Sequence, residues 1–244
     1  MNVRSLEHQA FAKEKYDHSK WEAQRNILRF LLKAIGFTLM IKLERVEGLE
    51  NIPKAGPAIL LINHIAFVDP IVVVHVAPRN IVPMAKIEVY NYPLIGIIPR
   101  LWGVIPVRRE EADRRAIQQA MDVLRAGEIV LVAPEGTRNP NLQRGKVGAA
   151  YLASRCGVPI VPVAIEGTVG FPSLPFSKRW RQPGVVVHFG RPFRFRSDLT
   201  HAGREQLRLM TDEAMYILAS MLPENRRGFY AELSKATQGT IEFL

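Results

Sequence analysis

Residues 58–69 read AILLINHIAFVD, and this stretch decides the fold. Its apolar first part predicts a buried strand, and Pro70, which favours the first turn of a helix, predicts a helix beginning near Asp69. His64 lies in the turn between the two elements, with four residues between it and Asp69. Because α/β proteins display reactive side chains in the turns that leave their strands, the pair is a candidate active site.

The same two residues also have an interpretation without chemistry. The carboxylate of Asp69 can accept hydrogen bonds from the free N–H groups of the following helix, which is typical of an N-cap. His64 is then a loop histidine with no task. A single short motif does not separate the two interpretations, because such matches often arise by chance.

The composition is typical of a globular protein that forms one domain. At 244 residues and 48% hydrophobic content, the chain can bury a full core. Its single cysteine, Cys156, excludes an intramolecular disulfide and suits a reducing compartment, and we interpret it as a packing residue. Residues 1–20 are polar and mixed in charge, which predicts no signal peptide. The histidines lack zinc-ligand spacing and no phosphate-binding loop is seen, so we expect neither a metal nor another bound cofactor.

The net charge of +10 predicts an anionic partner: a membrane surface, a nucleic acid or a phosphorylated substrate. We do not expect a nucleic acid, because the basic stretches show no helix-turn-helix, zinc-finger spacing or aromatic platform for single strands. Six basic residues without an acidic one among them form a second cationic stretch, which faces either an anionic partner or solvent: Lys178, Arg179, Arg181, Arg191, Arg194 and Arg196.

Residues 21–43 are predicted to form an amphipathic helix. Arg25, Arg29 and Lys33 recur every four residues, which places them on one face of a helix. Apolar residues at three- and four-residue intervals lie mostly opposite them: Ile27, Leu28, Leu31, Leu32, Ile35 and Leu39. The uncharged part is too short to span a bilayer, which takes about 20 apolar residues. The helix therefore either lies in the headgroup region of a membrane or packs on the domain's own core.

The rest of the chain alternates between short β-rich runs and helical patterns, which predicts an α/β fold. We expect a single domain with a central mixed, largely parallel sheet flanked by helices and preceded by the amphipathic, membrane-associating helix. The predicted strands are residues 58–62, 81–85, 104–107, 129–133, 160–165 and 185–189, and the predicted helices are 111–125, 145–155 and 204–222. The expected division is an N-terminal helical segment at 1–47, the α/β domain at 48–222 and a tail at 223–244.

Polar clusters follow three of the predicted strands. His64 and Asp69 follow the first, Arg108 and Arg109 follow the strand at 104–107, and a Glu-Gly-Thr-Arg sequence at 135–138 follows the strand at 129–133. Each cluster has a plainer interpretation as a polar turn or a solvated charge run. Because parallel strands end at the same edge of a sheet, however, the three clusters are predicted to face one crevice.

Four ordered blocks resemble those of the glycerophospholipid acyltransferases, and most closely those of bacterial lysophosphatidate acyltransferases. The blocks are Asn63-His64 with Asp69, Gly103-Val104-Ile105-Pro106-Val107-Arg108-Arg109, Pro134-Glu135-Gly136-Thr137-Arg138 and Ile160-Val161-Pro162-Val163. The resemblance as a whole extends over roughly residues 49–192. Two of the blocks depart from the family pattern: in the first, Ala66 replaces a frequent serine, and the second has Pro106 and Arg108 where other residue types are usual.

The resemblance implies a role for each block. His64 is expected to be the catalytic base and Asp69 to orient it. The arginine block and the residues Glu135, Gly136, Thr137 and Arg138 are expected to bind the phosphorylated acceptor, and Lys86 is expected to lie near its phosphate. Spacing favours Arg109 over Arg108 as the arginine that meets phosphate.

The expected reaction moves a fatty acyl group from acyl-CoA or acyl-carrier protein to the free sn-2 hydroxyl of 1-acylglycerol-3-phosphate, which gives phosphatidate. Histidine titrates near neutral pH and can take the proton of an alcohol, and no Gly-x-Ser-x-Gly elbow offers a nucleophile for a covalent acyl intermediate. We expect the protein at the cytoplasmic face of the cell membrane, with the second cationic stretch facing anionic lipid, an acidic carrier protein or solvent. The alternatives are another acceptor (glycerol-3-phosphate, another lysophospholipid or a lyso-aminolipid), a thioester hydrolase, or a noncatalytic basic protein that binds membranes or nucleic acid.

Overall fold

The computed structural model describes residues 17, 19–36, 41–93, 96–108 and 113–244. The strands in this part of the chain are β1 (Leu43–Glu47), β2 (Ala58–Ile62), β3 (Ile81–Lys86), β4 (Ile105–Val107), β5 (Ile129–Val132), β6 (Ile160–Glu166), β7 (Val185–Phe189), β8 (Phe193–Phe195) and β9 (Ile241–Phe243). The α-helices are α1 (Ser19–Leu31), α2 (Asp69–Val76), α3 (Ile97–Trp102), α4 (Arg114–Arg125), α5 (Gly148–Cys156) and α6 (Arg204–Ser220).

All nine described strands belong to one mixed sheet, in the order β1-β7-β6-β2-β5-β3-β4, with β8 and β9 attached beside β6. Strands β6, β2, β5, β3 and β4 run parallel to one another, whereas β7 and β8 are antiparallel to β6. The predicted mixed, largely parallel sheet is thus confirmed. Its five parallel strands present their carboxyl ends at one edge, and the polar clusters come after these ends in the chain.

Apolar side chains cover both faces of the sheet. Strand β2 is buried along its whole length, as its unbroken run of apolar residues requires in a two-sided parallel sheet. One face is covered by α1, α2 and α3, which contribute Leu28, Val72 and Trp102 to its core. The other face is covered by α4, α5 and α6, and Ala120 and Ala150 belong to that core. Each fully buried leucine or isoleucine contributes about 1.5–3 kcal/mol, so this double burial fixes β2 at the centre.

The strands that sequence patterns missed are short or lie at an edge. Strand β1 reads LERVE and is largely exposed, because it is held by parallel pairing with β7 rather than by burial. Strands β8 and β9 have only three residues each. The sheet therefore takes a strand from each segment that flanks residues 48–222.

The predicted helices have shifted ends. Helix α4 begins at Arg114, where the Asp113 side chain accepts a hydrogen bond from the Ala116 N–H at 3.0 Å. The predicted start of this helix at 111 lies outside the described residues, as does Arg109. Helix α5 starts three residues later than predicted, and α6 ends at Ser220 rather than at 222.

The N-terminal helix is shorter than predicted, and one side of it packs on the domain. It ends at Leu31, continues as a π-helical turn to Gly36, and Leu43 already belongs to β1, so a helix over 21–43 was wrong. Arg25 is fully buried, and its Nε donates to the Trp102 carbonyl at 2.8 Å. Arg25 and Leu28 therefore lie on the side of the helix that packs on the domain.

The opposite side of α1 exposes an apolar stripe of Ile27, Phe30 and Leu31, which are 62%, 69% and 44% exposed. No helix in the described part of the chain combines the length and the apolarity needed to cross a bilayer.

Candidate active site

Asn63 fixes the position where β2 ends. Its side-chain Nδ2 donates to the Ile165 carbonyl at 2.9 Å, and its Oδ1 accepts from the Ile165 N–H at 2.8 Å. Both bonds are buried, and they join the end of β2 to the neighbouring strand β6. The turn that carries His64 thus starts from a fixed point, a role that the sequence motif did not reveal.

His64 and Asp69 form a hydrogen-bonded pair in this turn. His64 Nδ1 lies 2.9 Å from Asp69 Oδ2, and Asp69 is fully buried, whereas the histidine side chain is 14% exposed. The same carboxylate oxygen accepts from the N–H groups of Ile65 at 2.7 Å and Ala66 at 2.8 Å. Because Nδ1 faces the aspartate, Nε2 is the ring nitrogen left to meet a substrate.

The N-cap interpretation of Asp69 was wrong. Asp69 lies in the first turn of α2, and its side chain bonds backward to the turn rather than forward to the helix. The departure from the family pattern at Ala66 leaves this bond intact, because residue 66 contributes its backbone N–H to Asp69, and any residue except proline supplies one.

Thr168 holds the second oxygen of the aspartate. Its hydroxyl donates to Asp69 Oδ1 at 2.5 Å, and both residues are fully buried. Sequence reasoning missed Thr168, although a signal existed: the sequence Glu-Gly-Thr occurs at 135–137, shortly after the end of β5, and again at 166–168, at the end of the parallel strand β6. With every oxygen occupied, Asp69 is held in one orientation.

Glu135 lies beside the histidine turn, at the end of β5. Its Oε2 accepts a hydrogen bond from the Gln143 N–H at 2.7 Å. A second hydrogen bond, from the Asn139 N–H to the His64 carbonyl at 2.9 Å, joins the Glu135 turn to the His64 turn. Burial raises the pKa of Glu135 to about 7, the N–H groups of Gln143 and His64 counteract part of this, and the charge of Asp69 adds to it. The residue therefore changes its protonation near neutral pH.

The backbone conformation at Gly136 favours glycine. Its φ of +68° lies in the left-handed region, and a methyl group there would lie 3.1 Å from Lys146 Nζ. Lys146, a residue that sequence reasoning did not select, thus adds a cation beside the turn. Thr137 and Arg138 are exposed, and the Arg138 guanidinium makes no hydrogen bond or ion pair with the residues that the structure describes.

The other candidate cations lie further along the same edge. Lys86 ends β3, next to β5, and its Nζ is 5.9 Å from the centre of the Tyr92 ring. Arg108 follows β4, one strand beyond, where it is exposed and its N–H donates to Asp113 at 2.9 Å. The structure thus joins the His64 and Glu135 turns by direct bonds, and it leaves Lys86 and Arg108 on the edge without a direct bond to them.

This arrangement combines a base with anion-binding groups. A histidine held by a buried carboxylate can remove a proton and carry the resulting charge, and arginine and lysine beside it can hold an anionic substrate. The chemistry fits a class of enzymes that activate a hydroxyl on a phosphate-bearing acceptor.

The chain belongs to the acyltransferase family: the Acyltransferase family model matches residues 44–166, about half of its length. The match runs from β1 to the end of β6, so it contains the His64 and Glu135 turns and stops just before Thr168.

Curated relatives include 1-acyl-sn-glycerol-3-phosphate acyltransferases from several organisms. The protein of Borreliella burgdorferi is 34% identical over 130 residues, which cover 52% of each chain. That of Chlamydomonas reinhardtii is 30% identical over 204 residues, covering 79% of this chain and 57% of the relative. The matches thus span little more than half the length of these relatives.

A solved structure shares the fold. The 1-acyl-sn-glycerophosphate (LPA) acyltransferase PlsC from Thermotoga maritima superposes with a TM-score of 0.54 at 23% identity, over 97% of this chain and 85% of the other. The likeness extends beyond the segment that the family model matches, to nearly the whole of this chain.

Proposed function

We propose that the protein transfers a fatty acyl group from a thioester, acyl-CoA or acyl-carrier protein, to the sn-2 hydroxyl of 1-acylglycerol-3-phosphate. One observation carries the proposal: His64 Nδ1 lies 2.9 Å from a fully buried Asp69, which leaves Nε2 as a base. The names of the curated relatives support the choice of acceptor.

In the proposed reaction, His64 Nε2 takes the proton of the acceptor hydroxyl as its oxygen attacks the thioester carbonyl. The tetrahedral intermediate then expels the thiolate, which takes the proton from the imidazolium. Asp69 stabilises the imidazolium between these steps because its carboxylate accepts the Nδ1–H. No covalent bond between the acyl group and the protein is needed, since a thiolate leaves readily.

The acceptor phosphate is proposed to bind where the cations gather. Arg138 suits this role because its guanidinium is exposed and can bind two phosphate oxygens at once. Lys146 beside Gly136 and Lys86 at the end of β3 supply further positive charge. Glu135, beside the His64 turn, is proposed to bond a glycerol hydroxyl, and Arg109 remains the proposed arginine of the second block.

We also propose that the protein works at a membrane surface, where lysophospholipids reside. The support is the apolar stripe on α1, where Ile27 and Phe30 are more than half exposed. Apolar side chains on a surface helix can enter the headgroup region, and the net charge of +10 favours anionic lipid.

A product assay tests the proposal. The protein is incubated with labelled acyl-CoA or acyl-carrier protein and a panel of acceptors: 1-acylglycerol-3-phosphate, glycerol-3-phosphate, other lysophospholipids and a lyso-aminolipid. We expect His64-dependent phosphatidate. Free fatty acid as the main product would indicate hydrolysis instead, and vesicle binding without any acyl product would indicate a noncatalytic protein.

A further inference from the structure

Residues 167–184 connect β6 to β7 and are named here the β6–β7 loop. The loop leaves the sheet at the edge that carries His64, because β6 is parallel to β2. Its second residue, Thr168, donates to Asp69 at 2.5 Å. The loop is therefore connected directly to the candidate active site.

The β6–β7 loop has a small core of its own. Phe171 is only 6% exposed and has two aromatic or cationic partners: the Arg179 guanidinium lies 4.0 Å from its ring centre, and the Trp180 ring is nearly perpendicular to it with 6.4 Å between the ring centres. Trp180 Nε1 donates to the Ser173 carbonyl at 2.8 Å, and Arg179 Nε donates to the Val169 carbonyl at 2.7 Å. These bonds give the loop a defined shape rather than leaving it an open connection.

On this framework the loop exposes large apolar side chains. Leu174 is 70% exposed and Phe176 is 94% exposed. Phe176 also has a φ of +72°, in the left-handed region that residues other than glycine avoid. An exposed phenylalanine on a strained backbone gives the isolated domain no stability, which points to a partner that buries it.

The charge around these side chains selects the partner. Lys178 and Arg181 follow Phe176 within five residues and are exposed, and the sequence of residues 167–184 contains no aspartate or glutamate. An apolar tip followed by cations fits a bilayer, where the tip enters the acyl region and the cations meet anionic headgroups. A carrier protein, in contrast, presents acidic groups that would leave the apolar tip without a purpose.

The loop lies on the same layer of the fold as the apolar stripe of α1. Trp180 and Leu28 pack against the same face of the sheet. Lys42, which precedes β1, ties the loop to the start of that strand because its Nζ donates to the Gln182 carbonyl at 3.1 Å. Two exposed apolar surfaces thus belong to one layer.

We propose that the β6–β7 loop is a membrane-docking element, with Leu174 and Phe176 inserted into the bilayer and Lys178 and Arg181 at anionic headgroups. Through Thr168 the same loop holds the Asp69 edge at the lipid surface. The inference rests on the proposed function only in that the acceptor is a lipid.

The first test compares vesicle binding of the full-length protein with that of the double variant Leu174→Ser/Phe176→Ser. Vesicles contain equal parts of phosphatidylcholine and phosphatidylglycerol, and binding is measured by sedimentation. Because two large apolar side chains lose their burial in lipid, we expect binding to weaken by about tenfold or more. The matched control is Leu209→Ser/Phe229→Ser. It removes two apolar side chains outside the β6–β7 loop, which are 46% and 59% exposed. Equal weakening by both variants, or none by the first, would overturn the proposal.

A second test detects insertion directly. Phe176→Trp is mixed with vesicles whose acyl chains carry bromine, and its fluorescence is compared with that of Phe229→Trp in the same vesicles. Stronger quenching of the tryptophan at 176 supports insertion. Equal quenching at the two sites contradicts it, whatever the stability of the double variant.

Activity separates this inference from the proposed function. With a short-chain lysophosphatidate that is dissolved as a monomer, we expect the double variant to keep its rate within about twofold, while its rate on vesicle-borne acceptor falls with binding. Loss of the rate on monomeric acceptor would assign the loop to catalysis, and a raised KM for acyl-carrier protein alone would assign it to donor binding; each overturns the docking role. Absence of acyl transfer by the unmodified protein would refute the proposed function, while the vesicle assays would still decide the docking role.

Discussion

The two turns that meet at the candidate active site differ in how far the protein itself satisfies their polar groups. In the turn after β2, Asp69 accepts hydrogen bonds from His64, Ile65, Ala66 and Thr168. In the turn after β5, the Arg138 guanidinium is exposed and has no partner among the described residues. The proton-transfer geometry is thus built before substrate arrives, whereas the binding geometry is left for an anion to complete.

The strongest test of the comparison removes the base. His64→Ala is expected to lower kcat for acyl transfer by about 10²- to 10⁴-fold, because the acceptor hydroxyl loses the group that takes its proton. Initial rates at saturating substrate measure the effect, and thermal unfolding checks that the fold is retained. Near-normal transfer by this variant would mean that the preformed pair is not the base.

The turn after β5, which carries Arg138, is tested by Arg138→Ala. Loss of a charge-assisted contact worth about 1.5–3 kcal/mol should raise the KM for 1-acylglycerol-3-phosphate by roughly 10- to 100-fold with little change in kcat. A phosphate-free acceptor should be affected much less. Arg204→Ala, which changes an exposed arginine at the start of α6, is the matched control. Equal effects on both acceptors would remove Arg138 from the phosphate site.

Glu135, which lies beside the His64 turn, is tested by the pH dependence of the free energy of unfolding. The pKa of Glu135 is raised to about 7, so the folded state binds more protons than the unfolded state between about pH 4.5 and 7, and the free energy of unfolding falls as pH rises through this window. In Glu135→Gln this contribution is absent. The variant's stability relative to the unmodified protein should therefore increase by on the order of 2–3 kcal/mol between pH 5 and pH 8. Denaturant unfolding at the two pH values measures it, and a difference independent of pH would contradict the assignment.

The smallest expected effect concerns the hydrogen bond that the Thr168 hydroxyl donates to Asp69. Thr168→Val removes the donor to Oδ1 and should lower kcat by about tenfold, with KM unchanged, because the aspartate is less firmly oriented. Thr168→Ser keeps the hydroxyl and should restore most of the rate. A rate that falls equally in both variants would indicate a packing role for the threonine instead.

Much of the fold was predictable because burial leaves a local pattern. The runs at 58–62 and 185–189 were predicted as strands with the bounds that the structure has, since strands covered on both faces or on alternate positions must be apolar there. Strand β1 left no such pattern, because an edge strand is held by its backbone bonds. The orientation of α1 was also beyond sequence reasoning, since a buried Arg25 bonded to the Trp102 carbonyl is not distinguishable from an exposed one by spacing.

By itself, the sequence determined the strand-turn-helix unit around His64, the position of the Glu135 turn after another strand, and the resemblance that joins them. These features are local, because residue type and spacing act over a few positions of the chain. Only the tertiary structure decided that Thr168 bonds Asp69, 99 residues away, and that Asn63 bonds Ile165, 102 residues away. Those contacts exist because β2 lies beside β6, and strand order depends on how distant apolar faces pack rather than on any local pattern.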